Sequence, residues 1–300
     1  MRLDILLVKR GLFPSRERAQ AAIVEGAVFV DGAKAVKPGQ RVREDSEIFV
    51  REDPLPYVGR GGLKLEWALD TFELRVDGKV ALDIGASTGG FTDCLLSRGA
   101  KKVYAVDVGY GQLAWSLRTD PRVIVKERTN ARHLTLQIIG EYVDVVTIDV
   151  SFISLKHILG PASDVTRPGG DILALVKPQF EAGRGQVPRG GIVRDPCVQR
   201  SVLKKVASYG SESSLIPIQV TFSPIKGSKG NMEFWFHFVK PLESVATVGG
   251  LAEVRGEVKP GVRPAASVAG DGAGEKDWAA QVVSIATRFF EDEEVKSARE

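Results

Sequence analysis

The sequence predicts an α/β protein: a mostly parallel sheet with helices on both faces, preceded by a small α+β module. Three observations carry this. From Val80 onward, strand-length apolar runs alternate with helical spacings, at Val80 to Ile84, Val103 to Asp107, Val123 to Val125, Val143 to Asp149 and Ile172 to Val176, the pattern of a sheet covered on both faces. The first run breaks into Gly85-Ala86-Ser87-Thr88-Gly89-Gly90 and restarts as a helix from Phe91, which reads as strand, tight loop and helix. Asp107 closes the next run about 20 residues past the loop, the position from which a carboxylate reaches ribose hydroxyls.

Composition narrows the class. A chain of 300 residues holds a main core of roughly 180 residues and at least one smaller module. The net charge of +3 and pI near 8.8 permit a nucleic-acid partner without identifying one. Cys94 and Cys197 are the only cysteines, so neither a disulfide scaffold nor a cysteine zinc site is expected, and a reducing compartment fits. His133, His157 and His237 are scattered, and no metal site is predicted. The apolar run Ile5 to Val8 is too short for a signal core and no later run reaches membrane length, so a cytoplasmic protein with no membrane role is expected.

The first module, residues 1–52, opens with Leu3, Leu6 and Leu7 on one helical face. Ser15 after Pro14 caps a second helix carrying Ala19, Ala22 and Ile23 that stops at Gly26,. Val28 to Val30, the turn Asp31-Gly32 and Glu47 to Val50 read as strands around a hairpin. Arg16 and Arg18 open the second helix, and Lys34, Lys37, Arg41 and Arg43 follow; on spacing alone they are either a solvated face or a phosphate-contacting patch. The series Leu6-Leu7-Val8, Ser15 to Ala19, Ile23, Gly26, Val28 to Gly32 and Lys37-Pro38-Gly39 resembles the RNA-binding domain named after ribosomal protein S-four. That resemblance implies RNA contact by Arg16, Arg18 and Lys34.

A proline-containing linker, residues 53–62, leads to a helix with Lys64 near its start and Leu65, Leu69 and Phe72 on one face,. The main domain is expected over residues 63–241. Asp83, Asp107, Asp149 and Lys177 all close strands, the end at which such sheets bind ligands. One polar residue there is ordinary; four suggest a site. Pro178 to Asp195 combines glycines with Arg184, Arg189 and Arg194 and reads as a mobile basic loop suited to phosphate. Met232 to Val239 is an aromatic strand with Glu233 at its beginning. Residues 242–300 read as a disordered tail bearing a short amphipathic helix near 277–290, with Asp277 as cap and Trp278, Val282, Ile285 and Phe289 along it,.

In the dinucleotide fingerprint a second glycine lets the backbone approach a pyrophosphate; Ser87 stands there instead. A ribose-bearing cofactor without a pyrophosphate is expected, with S-adenosylmethionine the candidate. Gly85, Ala86, Ser87, Gly89, Gly90 and Phe91 should run under its amino-acid end, Asp83 near its ammonium, Asp107 on its ribose and Asn130 beside its adenine. A nicotinamide dehydrogenase would share the sheet and the ribose carboxylate but not Ser87.

Residues 1 to about 240 resemble the TlyA, or hemolysin A, family of RNA methyltransferases, whose catalytic part is similar to FtsJ-type ribose methyltransferases with a Rossmann-like fold. The motifs are Gly59 to Leu65, Asp83 to Thr92, Asp149 to Leu155, Val176 to Glu181 and Gly230 to Glu233. The resemblance implies a catalytic set of Lys64, Asp149, Lys177 and Glu233, and 2′-O-methylation of cytidine in ribosomal RNA, with ribosomal RNA or ribosomal subunits as partners. Such a reaction needs an in-line displacement and removal of a proton from an alcohol. A membrane-active hemolysin and an RNA-binding factor without catalysis are the competing readings.

Overall fold

The computed structural model describes residues 1–35, 37–50, 56–227, 230–242, 266–267, 279 and 282–287. The first module consists of α1 (Leu3–Lys9), α2 (Arg16–Glu25) and a small antiparallel sheet of β1 (Val28–Val30), β2 (Ala33–Lys34) and β3 (Ile48–Val50), in the order β2-β1-β3. Ser15 Oγ caps α2 by accepting from the Arg18 amide, and left-handed Gly26 ends it,. Leu3, Leu7, Ala19, Ile23, Val28 and Val30 form its core. Asp4 is buried at the joint between the two helices. It accepts hydrogen bonds from Arg2, Arg16 and Gln20, and the Arg2 guanidinium holds its carboxyl well below the usual range against the effect of burial,.

The second domain begins with α3 (Gly61–Thr71) and continues through β4 (Val80–Ile84), α4 (Gly90–Ser97), β5 (Lys102–Val106), α5 (Trp115–Arg118), β6 (Val123–Lys126), α6 (Leu136–Ile139) and β7 (Val143–Ile148). It then runs through α7 (Leu159–Val165), β8 (Thr166–Val176), α8 (Pro178–Glu181), α9 (Pro196–Glu212), β9 (Ile216–Phe222) and β10 (Phe234–Val239). With β11 (Ala266–Ser267) these strands form one sheet, ordered β11-β9-β10-β8-β7-β4-β5-β6. β4 through β8 are parallel, and β10 runs antiparallel between β8 and β9. The direction of β10 matters: Phe234 pairs with Val176, so the beginning of this strand meets the carboxyl ends of the others. Leu82, Ile84, Val146, Ile148, Ile172 and Phe236 fill one face, and Leu65, Leu69, Leu95, Val103, Leu173 and Trp235 the other.

One stretch departs from the sequence reading, and a second resolves what the sequence left open. Tyr57 and Val58, read as linker, are buried with Leu65, Phe91 and Leu95; the Val58 amide donates to Asp93 and the Tyr57 hydroxyl to Glu66, so this stretch packs as part of the second domain. In the tail, Ala279, Val282, Val283 and Ala286 are buried in the same apolar cluster as Val202, Val206 and Val220. Residues 282–287 are helical and docked on the body, while Asp277, Trp278, Phe289 and residues 243–265 and 268–276 lie outside the described residues. Among the described residues no helix is long and apolar enough to cross a membrane.

Candidate active site

The carboxyl end of β4 turns sharply because Gly85, at φ +87°, passes against the main chain of Asp149: a Cβ there would sit 2.2 Å from the Asp149 carbonyl oxygen,. Beyond it the loop opens on a cavity of about 720 Å³ walled by Gly85, Ala86, Ser87, Gly90, Phe91 and Asp149. Gly59, Arg60, Gln112, Leu113 and Trp115 complete much of the wall, with Gln20 and Pro38 of the first module at its edge. Ser87 is left-handed at φ +49°. Its amide donates to Asp107 at 2.8 Å, and the Gly109 amide donates to the other oxygen at 2.6 Å. Asp107 lines a smaller adjoining cavity that shares Ala86, Ser87, Gln112 and Leu113 with the larger one. Each carboxylate oxygen keeps a further lone pair for a hydroxyl donor. A glycine turn pressed against the Asp149 main chain and opening on a cavity, with a carboxylate beside it, fits a ribose-bearing sulfonium cofactor.

Three of the residues assigned to the cofactor from sequence lie elsewhere. Asp83 is fully buried beneath the loop, accepting from the Thr92 hydroxyl at 2.7 Å and the Thr147 hydroxyl at 3.4 Å. Burial pushes its pKa up to about 7, opposed by the Thr92 hydroxyl and reinforced by the charge of Asp149,. It ties α4 to the sheet rather than facing the cavity. Asn130 caps the 3-10 turn Ala131–His133 by accepting from the Arg132 amide and lies outside both cavity walls. Gly89 is the left-handed residue before α4, pressed against Leu113 and Leu117.

Lys64, Asp149, Lys177 and Glu233 meet at this same end as two ion pairs. Lys64 Nζ lies 2.6 Å from Glu233 Oε2. Lys177 Nζ lies 2.5 Å from Asp149 Oδ1 and donates to Ser151 Oγ at 2.9 Å. Glu233 is 2 % exposed. Burial raises its pKa, Lys64 and Lys177 oppose that rise, and Asp149 adds to it, so all four groups lie within electrostatic reach of one another. Each element delivers one member: α3 brings Lys64, the ends of β7 and β8 bring Asp149 and Lys177, and reversed β10 brings Glu233.

Two residues missed from sequence stand beside them. Phe152, in a left-handed conformation at φ +63°, is 92 % exposed with its ring on Phe180 at 5.1 Å; an aromatic residue three positions past a strand-closing acid is the only local signal. Asn231 is buried and holds the basic loop, accepting from the Val193 amide and donating to the Gly191 carbonyl. That tether fastens the loop at Gly191 and Val193. Arg189 is exposed on it, and Arg184 opens the 3-10 turn Arg184–Gln186. On the first module Lys34 is exposed and crosses Gly26. Arg16 is engaged by Asp4, and Arg18 donates to the Pro56 carbonyl and lies 4.0 Å from Asp93. Among the described residues no cluster of histidine, cysteine and carboxylate has the makings of a metal site.

Two family models match the chain. The FtsJ-like methyltransferase model matches residues 57–240 and the S4 domain model residues 1–48. YqxC of Bacillus subtilis, named as an rRNA methyltransferase, is 51 % identical over 81 % of this chain and 86 % of its own. TlyA of Mycobacterium tuberculosis, named as a 16S/23S rRNA (cytidine-2′-O)-methyltransferase, is 46 % identical over 84 % of this chain and 94 % of its own. A solved structure of a hemolysin-named protein from Streptococcus thermophilus superposes with a TM-score of 0.70 at 38 % identity, covering 98 % of each chain. S-adenosylmethionine is the methyl donor. The cavity, the paired lysines and these relatives agree on one identity: the chain belongs to the FtsJ-like methyltransferase family, in its TlyA branch with an S4 domain in front.

Proposed function

We propose that this protein methylates the 2′-hydroxyl of a ribose, a cytidine, in ribosomal RNA. The observation that carries the reading is the meeting of Lys64–Glu233 and Lys177–Asp149 at the carboxyl end of the sheet, where Asp149 forms part of the cavity wall. The relatives named for cytidine 2′-O-methylation supply the substrate class. When bound, S-adenosylmethionine supplies a methyl group on a positively charged sulfur.

Lys177 takes or polarises the proton of the hydroxyl, since it is the lysine whose ammonium also contacts Asp149 on the cavity wall,. Asp149 and Ser151 fix its direction. Glu233 anchors Lys64, and with it the second positive charge, beside the first pair. Exposed Phe152 offers a flat apolar face on which a base can stack, and exposed Arg189 and Lys34 offer phosphate contacts,. The first module then grips structured RNA while the second acts on a ribose. The competing hemolysin reading needs a membrane-active element, and among the described residues none spans a bilayer.

The test is mass mapping of ribose methylation in ribosomal RNA from cells with the protein, without it, and with Lys177→Ala. A cytidine 2′-O-methyl mark present only with the unaltered protein supports the reading. Identical maps in all three sink it.

A further inference from the structure

Resting on that reading, we infer that Glu181 is a positioning residue for Lys177, acting through the segment 151–155. Glu181 is 4 % exposed and stands outside the set of four. Its Oε2 accepts from Ser154 Oγ at 2.6 Å and its Oε1 from the Leu155 amide at 2.8 Å. Its own carbonyl accepts from Lys205 Nζ on α9 at 3.1 Å. A carboxylate at this depth is retained only with such partners, and both side-chain bonds go to one short stretch of chain.

That stretch begins beside Asp149 and contains Ser151, the hydroxyl to which Lys177 donates. It also contains Phe152, whose left-handed backbone is strained for a side chain of that size,. On the opposite strand of contacts, α8 is a single turn with Lys177 as its N-cap and Glu181 as its last residue. The two segments are therefore fastened twice, by Lys177 to Ser151 at one end and by Glu181 to Ser154 and Leu155 at the other. Without the second fastening Ser151 is free to drift, and Lys177 keeps Asp149 alone to aim it.

The experiment compares Glu181→Ala and Glu181→Gln in the full chain. Steady-state methyl transfer to ribosomal RNA gives kcat and KM, calorimetry gives cofactor affinity, thermal unfolding gives Tm, and mass spectrometry follows the pH dependence of Lys177 acetylation by acetic anhydride. Glu181→Ala is expected to lower kcat about tenfold or more while KM and cofactor affinity stay within about threefold. Its Lys177 acetylation midpoint shifts from that of the unaltered protein. Glu181→Gln, which keeps an acceptor for Leu155 and a polar partner for Ser154, restores both readouts to within about threefold. An unchanged kcat in Glu181→Ala, an unmoved acetylation profile, or no rescue by glutamine would overturn the assignment. An unaltered protein that binds cofactor yet methylates no ribosomal RNA would sink the functional reading instead, with the acetylation profiles still deciding the role of Glu181.

Discussion

At the amino end of the large sheet Asp171 lies between His237, at 2.9 Å, and Lys79, at 3.1 Å. At the carboxyl end Asp83 is held by the hydroxyls of Thr92 and Thr147 and the backbone amide of Thr92, and Glu233 has Lys64. Burial raises the pKa of all three carboxyls; at Asp171 the hydrogen bond and charge of His237, with Lys79, outweigh it and the net shift is downward, while at Asp83 and Glu233 the net shift is upward,. Arg167–Asp144 and Lys240, which donates to the carbonyls of Ser163 and Thr166, add further fastening at the amino end. The residue types at the two ends are nearly the same. What separates a structural end from a chemical one is where the cavity opens and whether the acids are fully neutralised.

The most severe disruption is expected at the open end. Lys177→Ala should cut methyl transfer by about a thousandfold, the scale of a lost general base, with cofactor affinity within a few fold. Labelled methyl transfer and calorimetry check this, and near-normal turnover would erase the distinction between the ends.

At the closed end, Asp171→Ala leaves the Lys79 ammonium and the His237 imidazole without their acid. It should lower unfolding free energy by about 3–5 kcal/mol while kcat stays within twofold. Urea unfolding and kinetics check it, and a kcat loss with unchanged stability would invert the comparison.

Buried Asp83 and half-buried Asp171 should also carry opposite pH signatures. Asp83 has a folded pKa of about 7 against 3.8 for the free group, so folding takes up a proton between those values. Its contribution therefore disfavours the fold increasingly as pH rises from about 4 to 7, by up to about 1.4 kcal/mol per unit. Asp171, shifted downward, stabilises above 3.8 and loses that contribution as pH falls below it. Unfolding titrations of Asp83→Asn should lack the first slope and keep the second; an unaltered slope between pH 4 and 7 would count against the buried, cation-free description.

The smallest effect is expected at Phe152. Phe152→Ala should raise KM for RNA about fivefold to tenfold, the equivalent of one lost stacking contact, without moving Tm. An unchanged KM would remove the stacking role.

Much of this was legible from local pattern. Strands of period and length that fit a doubly covered sheet, the Ser15 cap and the Gly26 stop are short-range features, and short-range physics writes them into the sequence. The ends of β4, β5, β7 and β8 were legible for the same reason. Asp83 illustrates the limit. Its position before the loop suggested a cofactor contact, but strand residues alternate in direction, and here the carboxylate points to Thr92 and Thr147. Whether it faces cavity or core depends on the helix that α4 lays over it. Arg16 likewise reads as a free cation until Asp4, twelve residues earlier, is brought against it by helix packing. The tether of Asn231 to Gly191 and Val193 joins segments tens of residues apart and leaves no periodic trace, and the helical spacing at Val282 marks a helix without saying where it docks.

The Lys64–Glu233 pair spans 169 positions of the chain, from the first helix of the second domain to the entry of its reversed strand. A ribosome making this protein releases the glycine turn and Asp107 long before it releases Glu233. During that interval the growing polypeptide carries both amines but not the acid that anchors Lys64, so the set of four is completed late in synthesis, when β10 takes its place beside β8.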